Sequence, residues 1–521
     1  MLFTSLEFVG FLLFFVIAYY TFPKKIQWLV LLCASLLFYA GIGRRRIVFI
    51  CLSAITTWAS ANLIYKNHSE KKKYLSENKR SLSKDEKAVI KKKYKNIRKT
   101  ILTGFLLFNL GGLFVFKFYN MTAENISALP KLNLIMPVGV SFYTLQIIGY
   151  VMDVYNKKTV PEKSMLKTML FTMWFPQVIQ GPIARYDSLA PQLFERHRFN
   201  YDNFVLGLLR MLWGYFKKLV IADRFVVIVT TLFSNYTRYS GFEILIGAMI
   251  YTIQLYADFS GGIDIALGAS ELFGVVLPEN FNRPFFSKSI SEFWRRWHMT
   301  LGGFLRDYIF YPVTLSKPLS KLAKFFSKRK LKWCSRWIPA YISLFILWFC
   351  SGVWHGEGAQ YILYGLYHGG LIMLGMTFEP HFEILCEKLK INRSSQTFKV
   401  FQVARTFFLV TIGEIIFRAP NIPQAMYMIK SMFTTFNPWV LFDGFVFTLG
   451  LDVPDFIVGV VAVIILLVVS LFNRYQSMRH WVYRQELPIR WAICLAAIMA
   501  IVVFGVYGPG YDPAPFIYFQ F

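Results

Sequence analysis

His355 ends the run Leu347-Trp-Phe-Cys-Ser-Gly-Val-Trp-His-Gly-Glu-Gly358, where an apolar stretch meets three closely spaced glycines. An imidazole titrates near neutrality, so a histidine here could serve as a general base. It could equally be a histidine hydrogen-bonded between packed helices. Gly352, Gly356 and Gly358 would let the backbone bend or come close to a ligand. His368 follows in Tyr367-His-Gly-Gly370, and its sequence setting favours a packing role. His298 belongs to a denser group, Pro278-Glu-Asn-Phe-Asn-Arg-Pro-Phe285 followed by Ile290-Ser-Glu-Phe-Trp-Arg-Arg-Trp-His-Met-Thr-Leu301. Trp294, Trp297 and His298 take neighbouring helical positions, with Arg295 and Arg296 beside them. Two readings are open for this group. It is an interfacial helix anchored by Trp and Arg at headgroup depth, or a cytoplasmic mouth whose arginines attract the phosphates of a cofactor. Asp258 and Asp264 lie in Gln254-Leu-Tyr-Ala-Asp-Phe-Ser-Gly-Gly-Ile-Asp264. They could orient a histidine, pair with an arginine such as Arg306, or form a purely structural ion pair. Asn280 and Arg306 join them as supporting residues. Ionisable groups of this kind are costly at membrane depth and are functional candidates by default.

The elements that must hold these groups are helices in a bilayer. Of 521 residues, 55% are hydrophobic and 17% charged, and mean hydropathy is +0.44. Soluble domains carry about 25% charged residues. Apolar runs near 7–22, 26–42, 47–65, 100–119, 134–152, 204–233, 243–258, 338–353, 360–378, 402–418, 456–473 and 490–507 approach the roughly 20 residues a bilayer-crossing helix needs. Shorter or interrupted runs at 164–182 and 262–277 leave the expected number at 11 to 13. The first run lacks a basic leader and a small-residue cleavage site, and so reads as a retained span. Six scattered cysteines with no CxxC spacing indicate neither a disulfide framework nor a zinc site, and no metal is expected.

The net charge of +28 could suggest nucleic-acid binding, but the positive residues gather in short segments between apolar spans. Residues 66–99 hold 14 Lys/Arg against four Asp/Glu, and 317–336 hold eight Lys/Arg and no acid. The first segment reads as a solvated helix or a disordered loop. With only Tyr74 and Tyr94 among its charges it offers no stacking platform, so no nucleic acid is expected. Basic loops stay in the cytoplasm. Three spans precede the first one, which predicts an extracytoplasmic N-terminus; the same counting predicts an extracytoplasmic tail. The chain is therefore expected to be a multi-pass protein of the cell membrane, with a single membrane domain over 1–508 and a tail over 509–521. Within that domain 278–312 is the interfacial segment carrying the candidate site.

Pro137-Val-Gly-Val-Ser-Phe-Tyr143, Gln180-Gly-Pro-Ile183, the 258–264 stretch, the 278–301 stretch, Phe304-Leu-Arg-Asp-Tyr308 and Ser351-Gly-Val-Trp-His-Gly356 occur in that order. This series resembles the membrane-bound O-acyltransferase family over nearly the whole chain. It is most similar to the branch with the alginate O-acetyltransferase membrane subunit and the D-alanyl transfer protein of teichoic acid modification. The resemblance implies an all-α polytopic fold, a ring of tilted helices around a central tunnel with interfacial and re-entrant helices. It implies catalytic roles for His355 and His298. It implies a thioester donor, acetyl-CoA first, bound transiently near Arg295, Arg296, Trp294 and Trp297, with no permanently bound cofactor. Phe516-Ile-Tyr-Phe-Gln-Phe521 matches an FxYxxF motif of that branch, which makes Tyr518 an acyl relay. Composition alone would read the same residues as an aromatic anchor. The implied partners are an extracytoplasmic SGNH-like acyltransferase and a cell-surface polysaccharide acceptor. D-alanyl, lipid or protein acyl transfer within the superfamily is the nearer alternative. A polysaccharide or lipid transporter or flippase is the remaining one, and it is disfavoured because no internal repeat is evident.

Overall fold

The computed structural model describes residues 2–43, 46–126, 130–132, 134, 136–507 and 516. Tyr518, and the tail apart from Phe516, lie outside the described residues. The described residues contain helices and no strand, and they divide into two compact units. One comprises Met1–Met211 with Ile265–Pro278, the other Leu212–Asp264 with Glu279–Phe521.

The first unit begins with α1 (Leu6–Thr21), whose N-cap Ser5 accepts from the Phe8 amide, and α2 (Gln27–Ile42). Phe8 and Phe38 meet at 5.9 Å, and Phe11 meets Phe175 at 5.4 Å, forming an aromatic core. Then come α3 (Ile47–Glu77) and α4 (Lys84–Asn125), about 46 and 63 Å long at 1.5 Å per residue. Both exceed the roughly 30 Å hydrocarbon layer, so their lysine-rich ends project beyond it. The basic segment 66–99 is thus a helical hairpin, turned over residues 78–83. Ser83 starts the second arm with a capping box: its Oγ accepts from the Glu86 amide while its own amide donates to the Glu86 carboxylate. The next helix, α5 (Val140–Tyr155), is buried on nearly every side. It starts six residues later than the apolar run 134–152, because Gly139 precedes it at φ +73°, a left-handed conformation that suits glycine.

In the second unit, α6 (Phe242–Glu271, counted here to Asp264) packs against the wide π-helical turn Phe216–Ala222. That turn interrupts the apolar run 204–233. Two short helices follow, α7 (Ile290–Arg296) and α8 (Met299–Leu305), and then four long ones, α9 (Lys332–His355), α10 (Ala359–Lys388), α11 (Gln396–Arg418) and α12 (Val453–Phe472). The last helix is α13 (Leu487–Phe504). The second basic segment is also helical: Lys317–Lys328 is an amphipathic helix with only Leu319 buried.

Helices α9 and α10 form a hairpin in backbone contact. A Cβ on Gly352 would lie 2.5 Å from the Tyr361 carbonyl oxygen, and one on Gly365 would collide with the Trp348 carbonyl oxygen. Small residues let helices approach this closely where lipid supplies no hydrophobic drive between them. The glycines before and after His355 therefore shape a helix–helix contact. Among the described residues, eight helices are long and apolar enough to cross a membrane. Others expected from the sequence are shorter, like α1 and α5, interrupted by the π turn, or richer in polar residues, like α10. The protein is an all-α polytopic membrane protein.

Candidate active site

All the groups below belong to the second unit. His298 is the N-cap of α8 and holds φ +46°, ψ 51°, a left-handed conformation in which histidine is uncommon. The strain is offset by Asn280. The Asn280 backbone carbonyl accepts from the Met299 amide at 3.0 Å. Its side-chain Oδ1 accepts from the Thr300 amide at 3.1 Å and the Thr300 hydroxyl at 2.9 Å. The same oxygen lies 3.2 Å from His298 Nδ1. A side-chain amide oxygen carries no hydrogen to donate, so Nδ1 carries the hydrogen of this contact and Nε2 of the neutral ring keeps a lone pair. Burial, and secondarily the His355 ring, hold the His298 imidazole well below its ordinary pKa, which keeps it neutral. Phe259 (4.9 Å) and Trp354 (5.8 Å) flank the ring.

His355 is the last residue of α9, and Gly356 leaves the helix in an extended conformation. Its ring is 5.0 Å from Trp354, 5.8 Å from Tyr364 and 5.5 Å from Phe417. Trp354 thus touches both histidine rings, each of them buried. The Tyr364 ring also lies 4.7 Å from His368, and its hydroxyl donates to Glu414 Oε1 at 3.3 Å. His368 is fully buried among Trp294, Trp348, Tyr364 and Tyr367, and among the described residues neither ring nitrogen has a hydrogen-bond partner. That setting is the one a packing role requires.

Glu414, on α11 and 1% exposed, was not singled out from the sequence. Its signal was present, an acid within Phe407-Phe-Leu-Val-Thr-Ile-Gly-Glu-Ile-Ile-Phe417, and the criterion applied to the histidines would have found it.

The arginines and tryptophans beside His298 separate. Arg296 is held by Glu292 one turn back, at 2.6 Å, whereas Arg295 is exposed and has no ion pair among the described residues. Trp294 stands against Trp348 and His368. Trp297 is buried in an aromatic cluster with Phe281 and Phe293.

Of the three readings the sequence left open for Asp258 and Asp264, the structure shows ion pairs, with lysines rather than with a histidine or Arg306. Asp258 is 2.6 Å from Lys218 Nζ, which also lies 2.8 Å from Asp223. Asp264 is 2.6 Å from Lys217 Nζ, which donates to Ser260 Oγ at 2.8 Å. The π turn carries both lysines against α6, whereas Arg306 sits in an exposed pair with Asp307. Phe516, the one described residue of the tail, is buried with its ring 4.4 Å from the Lys218 ammonium.

Two buried imidazoles in contact with one indole, one of them oriented as a hydrogen-bond acceptor, can hold or take up a proton away from bulk water. Comparison with known proteins places the chain among acyl-transferring relatives. Probable alginate O-acetylase AlgI of Pseudomonas syringae is 34% identical over 321 residues, covering 62% of this chain and 56% of that protein. The chain therefore spans little more than half the length of that relative. Peptidoglycan O-acetyltransferase of Helicobacter pylori is 28% identical over 81% of this chain and 77% of its own length. Teichoic acid D-alanyltransferase of Bacillus subtilis is 29% identical over 61% of this chain and 77% of its own. The family model described as MBOAT, membrane-bound O-acyltransferase family, matches residues 46–328, more than half of the sequence. The chain therefore belongs to the membrane-bound O-acyltransferase family.

Proposed function

We propose that this protein is an O-acyltransferase that takes an acyl group, acetyl in the first reading, from a cytoplasmic CoA thioester and passes it outward to a cell-surface polysaccharide. The observation that carries this reading is the pair of buried histidines His298 and His355, both in contact with Trp354. The names of the relatives support the acceptor class, since two are named for O-acetylation of alginate and of peptidoglycan.

In the proposed reaction His355 takes the phenolic proton of Tyr518, or of another acceptor hydroxyl, as its oxygen bonds to the thioester carbonyl carbon. A phenol has a pKa of about 10, so the proton must leave during attack. The carbon–sulfur bond then breaks, and the departing thiolate recovers the proton from His355 to give free CoA. His298 presents a lone pair at Nε2 and so accepts a hydrogen bond; it positions a donor N–H or O–H of the bound substrate. Arg295 is the better placed of the two arginines to meet the CoA phosphates, because Arg296 is committed to Glu292. Trp294 and Trp297 would wall the donor site. Asp258 and Asp264, with their lysines, stiffen α6 behind it. Arg306 remains a supporting residue on the π turn Arg306–Phe310.

The positive segments face the cytoplasm in this proposal, leaving both termini outside. The tyrosyl ester on Tyr518 would be handed to an extracytoplasmic SGNH-like acyltransferase. D-alanyl transfer is the second reading, favoured by the Bacillus relative. The test is release of free thiol from acetyl-CoA by purified protein and by His355→Ala. Unchanged turnover in the variant removes His355 from the chemistry. Turnover with a D-alanyl carrier thioester but not acetyl-CoA selects the second reading.

A further inference from the structure

The first unit contains a cleft of about 1110 Å³ that takes no part in the chemistry above. Seven lysines line it against one acid, Asp187, whose carboxylate already accepts from the Thr159 hydroxyl. The lysines come from three separate segments: Lys71, Lys72 and Lys79 from the end of α3, Lys87 and Lys91 from the start of α4, and the pair Lys157–Lys158 from the turn after α5. Lys158 has a carboxylate partner, Asp153 at 3.7 Å. Among the described residues the other six have none. Lys87 donates to the Lys79 carbonyl instead.

Tertiary packing, rather than a loose loop, builds this concentration of charge. His68 on α3 bonds through Nε2 to the Tyr155 carbonyl at 3.2 Å, fastening the end of α5 to the hairpin. Lys157 holds φ +62°, the left-handed conformation glycine adopts without strain, and its amide donates to the Val154 carbonyl at 3.0 Å. A long cation is thus kept where a glycine would be easier. So many like charges around one concavity repel each other unless an anion lies among them.

The depth of the cleft narrows the chemistry of that anion. Tyr65 and Val160 line the same cleft, both exposed, and Tyr65 is the last residue of the apolar run 47–65. The cleft therefore opens where hydrocarbon gives way to headgroups, the level at which lysines attract anionic lipids. We propose that it is a binding site for a phosphate-bearing anion at headgroup level. Two sources share that chemistry, the phosphates of an anionic phospholipid and those of a soluble nucleotide. The inference stands apart from the acyl-transfer reading and does not depend on it.

Native mass spectrometry of the purified full chain in neutral detergent tests it, with cardiolipin, 3′-phosphoadenosine 5′-diphosphate and phosphatidylcholine as separate probes. The cleft variant combines Lys72→Gln, Lys79→Gln, Lys91→Gln and Lys157→Gln, all at exposed positions. A control of equal charge change combines Lys317→Gln, Lys321→Gln, Lys324→Gln and Lys328→Gln on the amphipathic helix. Either anionic probe is expected to bind the cleft variant at least roughly 30-fold more weakly than wild type, with the control changing little. Loss confined to cardiolipin identifies a lipid site, and loss confined to the nucleotide identifies a soluble ligand. Equal loss in both variants, or wild-type binding no tighter than that of phosphatidylcholine, overturns the proposal.

Discussion

Asn280 provides the sharpest test of how His298 is held. Its Oδ1 accepts three hydrogen bonds, from His298 Nδ1, the Thr300 amide and the Thr300 hydroxyl, and the residue is fully buried. Its Nδ2 makes none. Asn280→Ala removes all three acceptor contacts. At about 0.5–1.5 kcal/mol each, the fold should lose roughly 2–4 kcal/mol. The share belonging to His298, about 1 kcal/mol, is what keeps the hydrogen on Nδ1 and the ring in place, and it converts to about a fivefold loss in kcat/KM, carried mainly by kcat. Asn280→Asp keeps the acceptor oxygen and sacrifices no donor bond. It should recover activity at alkaline pH. A carboxylate there favours the imidazolium, so the acid limb of the pH profile should move to higher pH, by about one unit for each 1.36 kcal/mol of added interaction. The assay is kcat/KM for thiol release from acetyl-CoA, from about pH 5.5 to about pH 9, for the three proteins. Refutation would be Asn280→Ala within twofold of wild type, or Asn280→Asp with the acid limb of wild type.

Three other outcomes are expected. Lys218→Met leaves Asp258 and Asp223 buried without their cation and should lower stability by about 3–5 kcal/mol, whereas adding Asp258→Asn and Asp223→Asn should restore much of it; thermal melting in detergent checks both. Gly365→Leu should separate α9 from α10 through collision at the Trp348 carbonyl, costing at least about 1–3 kcal/mol and lowering the melting midpoint, with thiol release falling as His355 shifts. Because His298 is held below its ordinary pKa, an unfolded chain binds a proton there that the native one refuses. Stability should then fall as pH drops below about 6.5, and His298→Asn should remove that share of the slope in melting scans against pH.

Much of the site was legible because its residues are conspicuous where they stand. A histidine after Trp354 at the end of an apolar run is visible without coordinates, as is the 294–298 group. Position in the chain could not show whether neighbours act together. Arg295 and Arg296 look equivalent in sequence, yet helix geometry places Arg296 one turn from Glu292 and leaves Arg295 exposed. Trp294 and Trp297 also diverge, the first toward His368 and the second into an aromatic core. Glu414 stands in its apolar run with no motif around it, and only helix packing brings it to Tyr364.

By itself, the sequence determined the class of solvent and the repeating element. Runs of apolar residues about 20 long leave the backbone no partner but itself, and a helix satisfies it locally. The lysine clusters, too, are local composition. Only the tertiary structure decided which buried polar groups meet. Lys218 finds Asp258 across 40 residues, His298 finds Asn280 across 18, and Tyr364 finds Glu414 across 50. Those pairings depend on the π turn, on glycines that let α9 and α10 touch, and on a histidine held in a left-handed turn. A buried polar group must find a partner somewhere, but which partner it finds is set by how the helices pack.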